Sequence, residues 1–137
     1  MRLLLALCAL LLLAAAPTDE VARSTALRWL ARVDAGDNGQ VYSGLTTATR
    51  EGISRARLIN TIKDGRGRLG ECKSHKVVEC KRAEAHILIE VMSRFEDGVQ
   101  ATEFVWLSED TDQQWRVSGY ELYHNGSSLV RVGVTPR

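Results

Sequence analysis

His86-Ile87-Leu88-Ile89-Glu90-Val91-Met92-Ser93-Arg94-Phe95, then Glu96-Asp97-Gly98, then Ala101-Thr102-Glu103-Phe104-Val105-Trp106-Leu107-Ser108, is the stretch that decides the fold. β-Branched and aromatic residues dominate both runs, and the Asp-Gly pair between them is the chemistry of a hairpin turn. Two antiparallel strands follow from it. Downstream, the polar Glu109 to Gln114 reads as a turn and Trp115 to Tyr123 as a further strand. Upstream, Lys73 to Lys81 alternates loosely and supplies a first strand. The tail beyond Asn125-Gly126 carries Leu129, Val130, Val132 and Val134, a candidate short edge strand.

Before Gly70 the apolar period is helical. Thr18 or Asp19 can cap a helix whose stripe runs through Val21, Ala22, Ala26, Trp29, Leu30 and Val33, and Gly36 can end it in a left-handed turn. A short helix is expected at Gln40 to Leu45 and a third from about Arg50 to Lys63, with Gly65, Gly67 and Gly70 breaking the pattern. Helices first and an antiparallel meander after them make an α+β domain. The expectation is a four-stranded antiparallel sheet with helices covering one side, one domain over 17–124, and a tail over 125–137.

Both faces of the central strands are apolar. Ile87, Ile89 and Val91 alternate with Leu88 and Met92, and Val105 and Leu107 with Phe104 and Trp106. Helices cover one face only. The face holding Leu88, Met92, Phe104 and Trp106 therefore predicts a homodimer.

The N-terminus places the chain in the cell. Met1-Arg2, an almost unbroken Leu/Ala run over Leu3 to Leu13, and Ala14-Ala15-Ala16 have the layout of a secretory signal peptide over 1–16. Cleavage fits after Ala15 or after Ala16, and Cys8 lies within the discarded segment. The apolar run is too short to span a bilayer core of roughly 30 Å. The mature chain is expected to be soluble, periplasmic or secreted, with no membrane span.

Charge sorts along the chain. Basic residues dominate Arg50 to Arg82, whereas nine carboxylates face only Arg94 and Arg116 between Glu84 and Glu121. In an exported protein this reads as two solvated faces rather than a nucleic-acid site.

Two stretches together carry a family resemblance. Trp29-Leu30-Ala31-Arg32-Val33-Asp34-Ala35-Gly36-Asp37 with Tyr42 resembles the opening of bacterial domain-of-unknown-function family 4019. Thr102-Glu103-Phe104-Val105 and Trp115-Arg116-Val117-Ser118-Gly119-Tyr120 resemble its ending, and Arg66-Gly67-Arg68-Leu69-Gly70 its stretch before the sheet. The resemblance implies a cone-shaped fold similar to nuclear transport factor 2, with the helices packed in the hollow of a curved antiparallel sheet. It implies no catalytic residues, and the shortened Arg82-Ala83-Glu84-Ala85 loop departs from the family pattern.

Few residues carry chemistry. Glu103 alternates with Val105 and Leu107, so it belongs to the helix-covered face, as a structural ion pair or as a general base in an apolar hollow. Trp29, Tyr42 and Tyr120 are candidates to line the same hollow. An oxidising compartment favours a Cys72–Cys80 disulfide, yet along one extended strand their Cα atoms would be ~26 Å apart. Alternation puts Cys72, Val78 and Cys80 on one strand face, so two buried thiols acting as small hydrophobes are the alternative, unless Lys73 to Lys76 bends the segment back. His75, His86 and His124 lack the spacing of a metal site, and Gly65-x-Gly67-x-x-Gly70 follows a helix, the reverse of a dinucleotide-binding context. No cofactor is expected. The leading reading is non-enzymatic binding of a small ligand or envelope partner; catalysis by Glu103, or a structural module docking by its sheet face, are the alternatives.

Overall fold

The computed structural model describes residues 16–136. Four helices precede the strands: α1 (Asp19–Ala35), α2 (Asn38–Ser43), α3 (Thr47–Gly52) and α4 (Arg55–Gly67). Then come β1 (Cys72–Arg82), β2 (His86–Phe95), β3 (Gln100–Glu109), β4 (Trp115–His124) and β5 (Ser127–Gly133). All pairings between these five strands are antiparallel and the sheet follows chain order. The expected α+β order is present, but the sheet has five strands rather than four. Asn125 and Gly126 have φ of 49° and 77°, the left-handed pair that a two-residue hairpin turn requires. They fold the tail back so that Ser127 pairs with His124.

Local chemistry sets the helix ends. The Thr18 hydroxyl accepts from the Val21 amide, and Gly36 closes α1 at φ 69°. Asp37 caps α2 through the Gln40 amide. The third helix expected over Arg50 to Lys63 is instead two. Ile53 is extended (φ −148°, ψ 134°), which stops α3, and the Ser54 hydroxyl restarts the chain by accepting from the Arg57 amide. Gly65 and Gly67, expected to break the helix, lie inside α4. Gly65 faces β5 so closely that a Cβ would overlap Val130 Cγ2 and sit 2.5 Å from the Leu129 carbonyl oxygen. Its role is close approach, which brings α4 onto the sheet.

The helices cover one face. α1 touches β1 through β4, and α4 lies on β5. Between them Ala22, Ala26, Trp29, Leu30, Leu58 and Ile62 bury against Ile87, Ile89, Val91, Val105, Leu107, Leu122 and Val132. Those strand residues share the helix face, since Ile89 pairs Val105 and Val105 pairs Tyr120.

β1 departs from plain alternation. Its register against β2 slips between Cys72 and Ser74 and again between Val77 and Glu79. Cys72, His75, Val77 and Cys80 therefore oppose Phe95, Ser93, Val91 and Ile89, all helix-face residues. Val78, expected on the same face as Cys72 and Cys80, is left unpaired and 48% exposed. A bulge shifts side-chain parity by one residue, and a second restores it. Of the expected export signal over 1–16, all but Ala16 lies outside the described residues. No described helix is long and apolar enough to cross a membrane.

Candidate functional site

A chain of polar side chains runs from the middle of the sheet to its β1 side, under the C-terminal end of α1. Glu103 anchors it. The residue pairs with Val91 and Leu122 across the sheet and has no exposed surface. Such a carboxylate is tenable only with charge-assisted partners. Arg66 near the end of α4 supplies them: its Nη1 donates to Glu103 Oε2, and Tyr120 OH donates to the same oxygen. Nη1 also lies 3.1 Å from Tyr120 OH, and the guanidinium carbon 5.2 Å from the centre of the Phe95 ring. Burial, followed by the charge of Glu103, holds the Tyr120 hydroxyl well above the ordinary tyrosine range, so it is a donor at neutral pH.

The second guanidinium nitrogen of Arg66 reaches Asp34 Oδ1 at the end of α1. Asp34 Oδ2 in turn lies 2.6 Å from His75 Nε2. The other ring nitrogen, Nδ1, is 2.7 Å from Ser93 Oγ and 3.4 Å from Glu103 Oε1. That Glu103 oxygen is buried and has no well-formed hydrogen bond of its own. Cys72 closes the group, with Sγ 3.6 Å from His75 Nε2 and 3.8 Å from Nδ1. Its thiol is pushed up to about 11, by burial first and then by the charges of Asp34 and Glu103. It is protonated and a poor nucleophile at neutral pH.

Sequence reasoning placed Glu103, Trp29 and Tyr120 together, and they meet: Trp29 stands edge-on to Tyr120 at 5.2 Å between ring centres. Tyr42 does not join them. Its hydroxyl shares its one proton between the carbonyl oxygens of Arg50 and Ile53, 2.9 and 3.0 Å away, tying α2 to the α3–α4 junction. Trp29 also donates to the Val41 carbonyl and borders a cleft of about 250 Å³ that opens between α1, α2 and the start of β4. Cys72 and Cys80 are free thiols on β1. His124 binds the Gln100 carbonyl.

The grouping of His75 with Asp34 and Cys72 escaped sequence reasoning. Their ligand atoms all lie within 4.8 Å of one another. The Cys72-x-x-His75 spacing was visible, but an unbroken strand would send those two side chains to opposite faces. The bulge at Lys73 puts them on one.

The opposite sheet face carries Leu88, Met92, Phe104 and Trp106, as expected, with Phe104 and Trp106 rings 5.9 Å apart. Tyr123 and Glu121 extend the patch into a shallow groove of about 280 Å³. Met92 is 36% and Tyr123 38% exposed, and no described helix covers this face.

The model of a family described as "Protein of unknown function (DUF4019)" matches residues 25–120. No curated protein and no solved structure matches the chain.

Proposed function

We propose, for a chain that belongs to the DUF4019 family of proteins of unknown function, that it is an exported, non-enzymatic binding domain that works as a homodimer. The observation that carries this is the open sheet face. Exposed Met92 and Tyr123 with half-buried Leu88 and Phe104 form an apolar surface around the buried Trp106, opposite the covered core. Charges of both signs surround it: Glu79 pairs with Glu90 in one cross-strand row, flanked by Lys81 beside Leu88 and Lys76 beside Met92. A two-fold partner turned against this face can set lysine rows against the glutamate row while the aromatics stack. The domain is read as similar to the cone of nuclear transport factor 2, and the apolar N-terminal run with Ala14 to Ala16 supports export.

The state of Glu103 favours binding over catalysis. A general base must reach its substrate's proton at hydrogen-bond distance. Glu103 has no exposed surface, and its Oε2 already accepts from Arg66 and Tyr120. A structural ion pair accounts for it. Small ligands or an envelope partner would then be met by the dimer's outer surface.

Light scattering on the purified protein at tens of micromolar tests the reading. A dimer mass is expected, halved by the double substitution Met92→Lys, Tyr123→Glu with the melting temperature nearly unchanged. A wild-type monomer at that concentration rejects the homodimer.

A further inference from the structure

We propose that Cys72, His75 and Asp34 bind one borderline-soft divalent cation of the zinc class, with Glu103 as the outer-shell carboxylate behind the histidine. The site lies at the helix-covered face of β1, away from the dimer surface, and does not depend on it.

The donor set comes first. A thiol, an imidazole and a carboxylate suit zinc or its transition-metal neighbours rather than calcium or magnesium, which take oxygen ligands. In a tetrahedral zinc site, with Zn–S about 2.3 Å and Zn–N about 2.0–2.1 Å, sulfur and nitrogen sit about 3.6 Å apart. Cys72 Sγ and His75 Nε2 are 3.6 Å apart. The Sγ is almost equidistant from both ring nitrogens, so closing round one ion takes a rotation of the half-exposed Cys72 side chain. Asp34 Oδ2 is at hydrogen-bond distance from Nε2, 2.6 Å. Replacing that proton by a metal moves the carboxylate outward by about 0.8 Å. Asp34 can do so, because its side chain is 26% exposed. Binding releases the thiol proton to solvent, and the imidazole ligates as the tautomer that carries its proton on Nδ1.

The independent observation is Glu103 Oε1. This oxygen is fully buried, lacks a hydrogen bond of good geometry, and lies 3.4 Å from His75 Nδ1. Metal-bound histidines characteristically donate their second ring N–H to a carboxylate or another acceptor, which fixes the tautomer. Glu103 and Ser93 Oγ at 2.7 Å form that acceptor pair. With Nδ1 protonated towards them, the Nε2 lone pair faces Asp34. Arg66 completes the frame by holding Asp34 through Oδ1, which leaves Oδ2 for the ion. Around a neutral His75, Asp34 and Glu103 outweigh Arg66 by one negative charge. Three protein ligands leave a fourth position for water or an external donor.

Cobalt(II) and zinc are the probes, added to the purified protein under a phosphine reductant. One cobalt per chain is expected, with the near-ultraviolet absorption of a thiolate ligand that one equivalent of zinc abolishes. Cys72→Ser should remove the absorption, His75→Gln should weaken zinc binding at least tenfold, and Cys80→Ser should change neither. A readout on the unaltered protein guards against variants that fail to fold. Zinc should slow alkylation of Cys72, mapped by mass spectrometry, and leave Cys80 unaffected. No thiolate absorption, absorption that survives Cys72→Ser, or equal alkylation of Cys72 with and without zinc would overturn the site.

Discussion

At the scale of single residues, the buried ion pair and the acids of the β3–β4 turn behave oppositely. Removing Arg66 leaves the buried Glu103 carboxyl without its cation. Arg66→Met is therefore expected to cost about 3–5 kcal/mol in urea unfolding, and a loss under about 1 kcal/mol would mean the pair contributes nothing. Asp110 and Asp112 sit at the β3–β4 turn. Burial works to raise Asp110, but the amides of Thr111 and Thr47, with the Thr47 hydroxyl and Arg116, overcome it and hold its carboxyl below the ordinary value. The hydrogen bonds from the Arg116 side chain, then the Gln114 amide, hold Asp112 at about 2. A depressed carboxylate stabilises the fold fully above its unfolded value and loses that contribution as pH falls through its folded one. Melting temperature should therefore drop between about pH 4 and pH 2, and less steeply in Asp112→Asn, which has no proton to take up. Of this chemistry, Glu103 was legible from alternation alone. Its partners were not, because Arg66 reaches it from a helix end 37 residues away in sequence, and Asp34, 69 residues away, is linked to it only through Arg66 and His75.

Among the elements, α4 and β1 carry the lesson. Elsewhere in a helix, Gly→Ala gains about 1 kcal/mol from propensity. At Gly65 the new methyl would meet Val130 and the Leu129 carbonyl, an overpacking that costs about 1–3 kcal/mol. Gly65→Ala should then destabilise, whereas Gly67→Ala, with nothing within 4 Å, should not. Comparing the two by chemical denaturation separates packing from propensity. From the sequence, a helix containing glycines could not be told from a helix ended by them, since the deciding contact comes from β5. The same holds for Ile53, where the pattern is continuous and only the extended backbone and the Ser54 cap divide α3 from α4. Strand boundaries were far more legible, because the His86–Phe95 run and its Asp-Gly turn are local signals.

For the whole molecule, β5 is where chain order and core meet. Val130 and Val132 bury in the core against α4 and β4, and Gly65 makes its close approach to Val130 and the Leu129 carbonyl. A chain ended at His124 would expose the β4 edge and open that side of the core. It should bind hydrophobic dyes and lose near-ultraviolet dichroism, and a native-like spectrum would show β5 to be dispensable. The paired slips in β1 have a consequence for how this protein tolerates changes of length. The β2–β3 ladder is unbroken from His86–Ser108 to Arg94–Gln100, so losing one residue there would send every later side chain to the wrong face. β1 holds two residues in excess of its partner, Lys73 and Val78, neither of which has a cross-strand mate. Deleting Lys73 would turn the ladder regular from Cys72 to Val77, with Cys72 still opposing Phe95 and His75 still opposing Ser93. Single-residue loss, ruinous in the middle of the sheet, is absorbed on this strand, and it is along β1 that natural variation in chain length has room to accumulate.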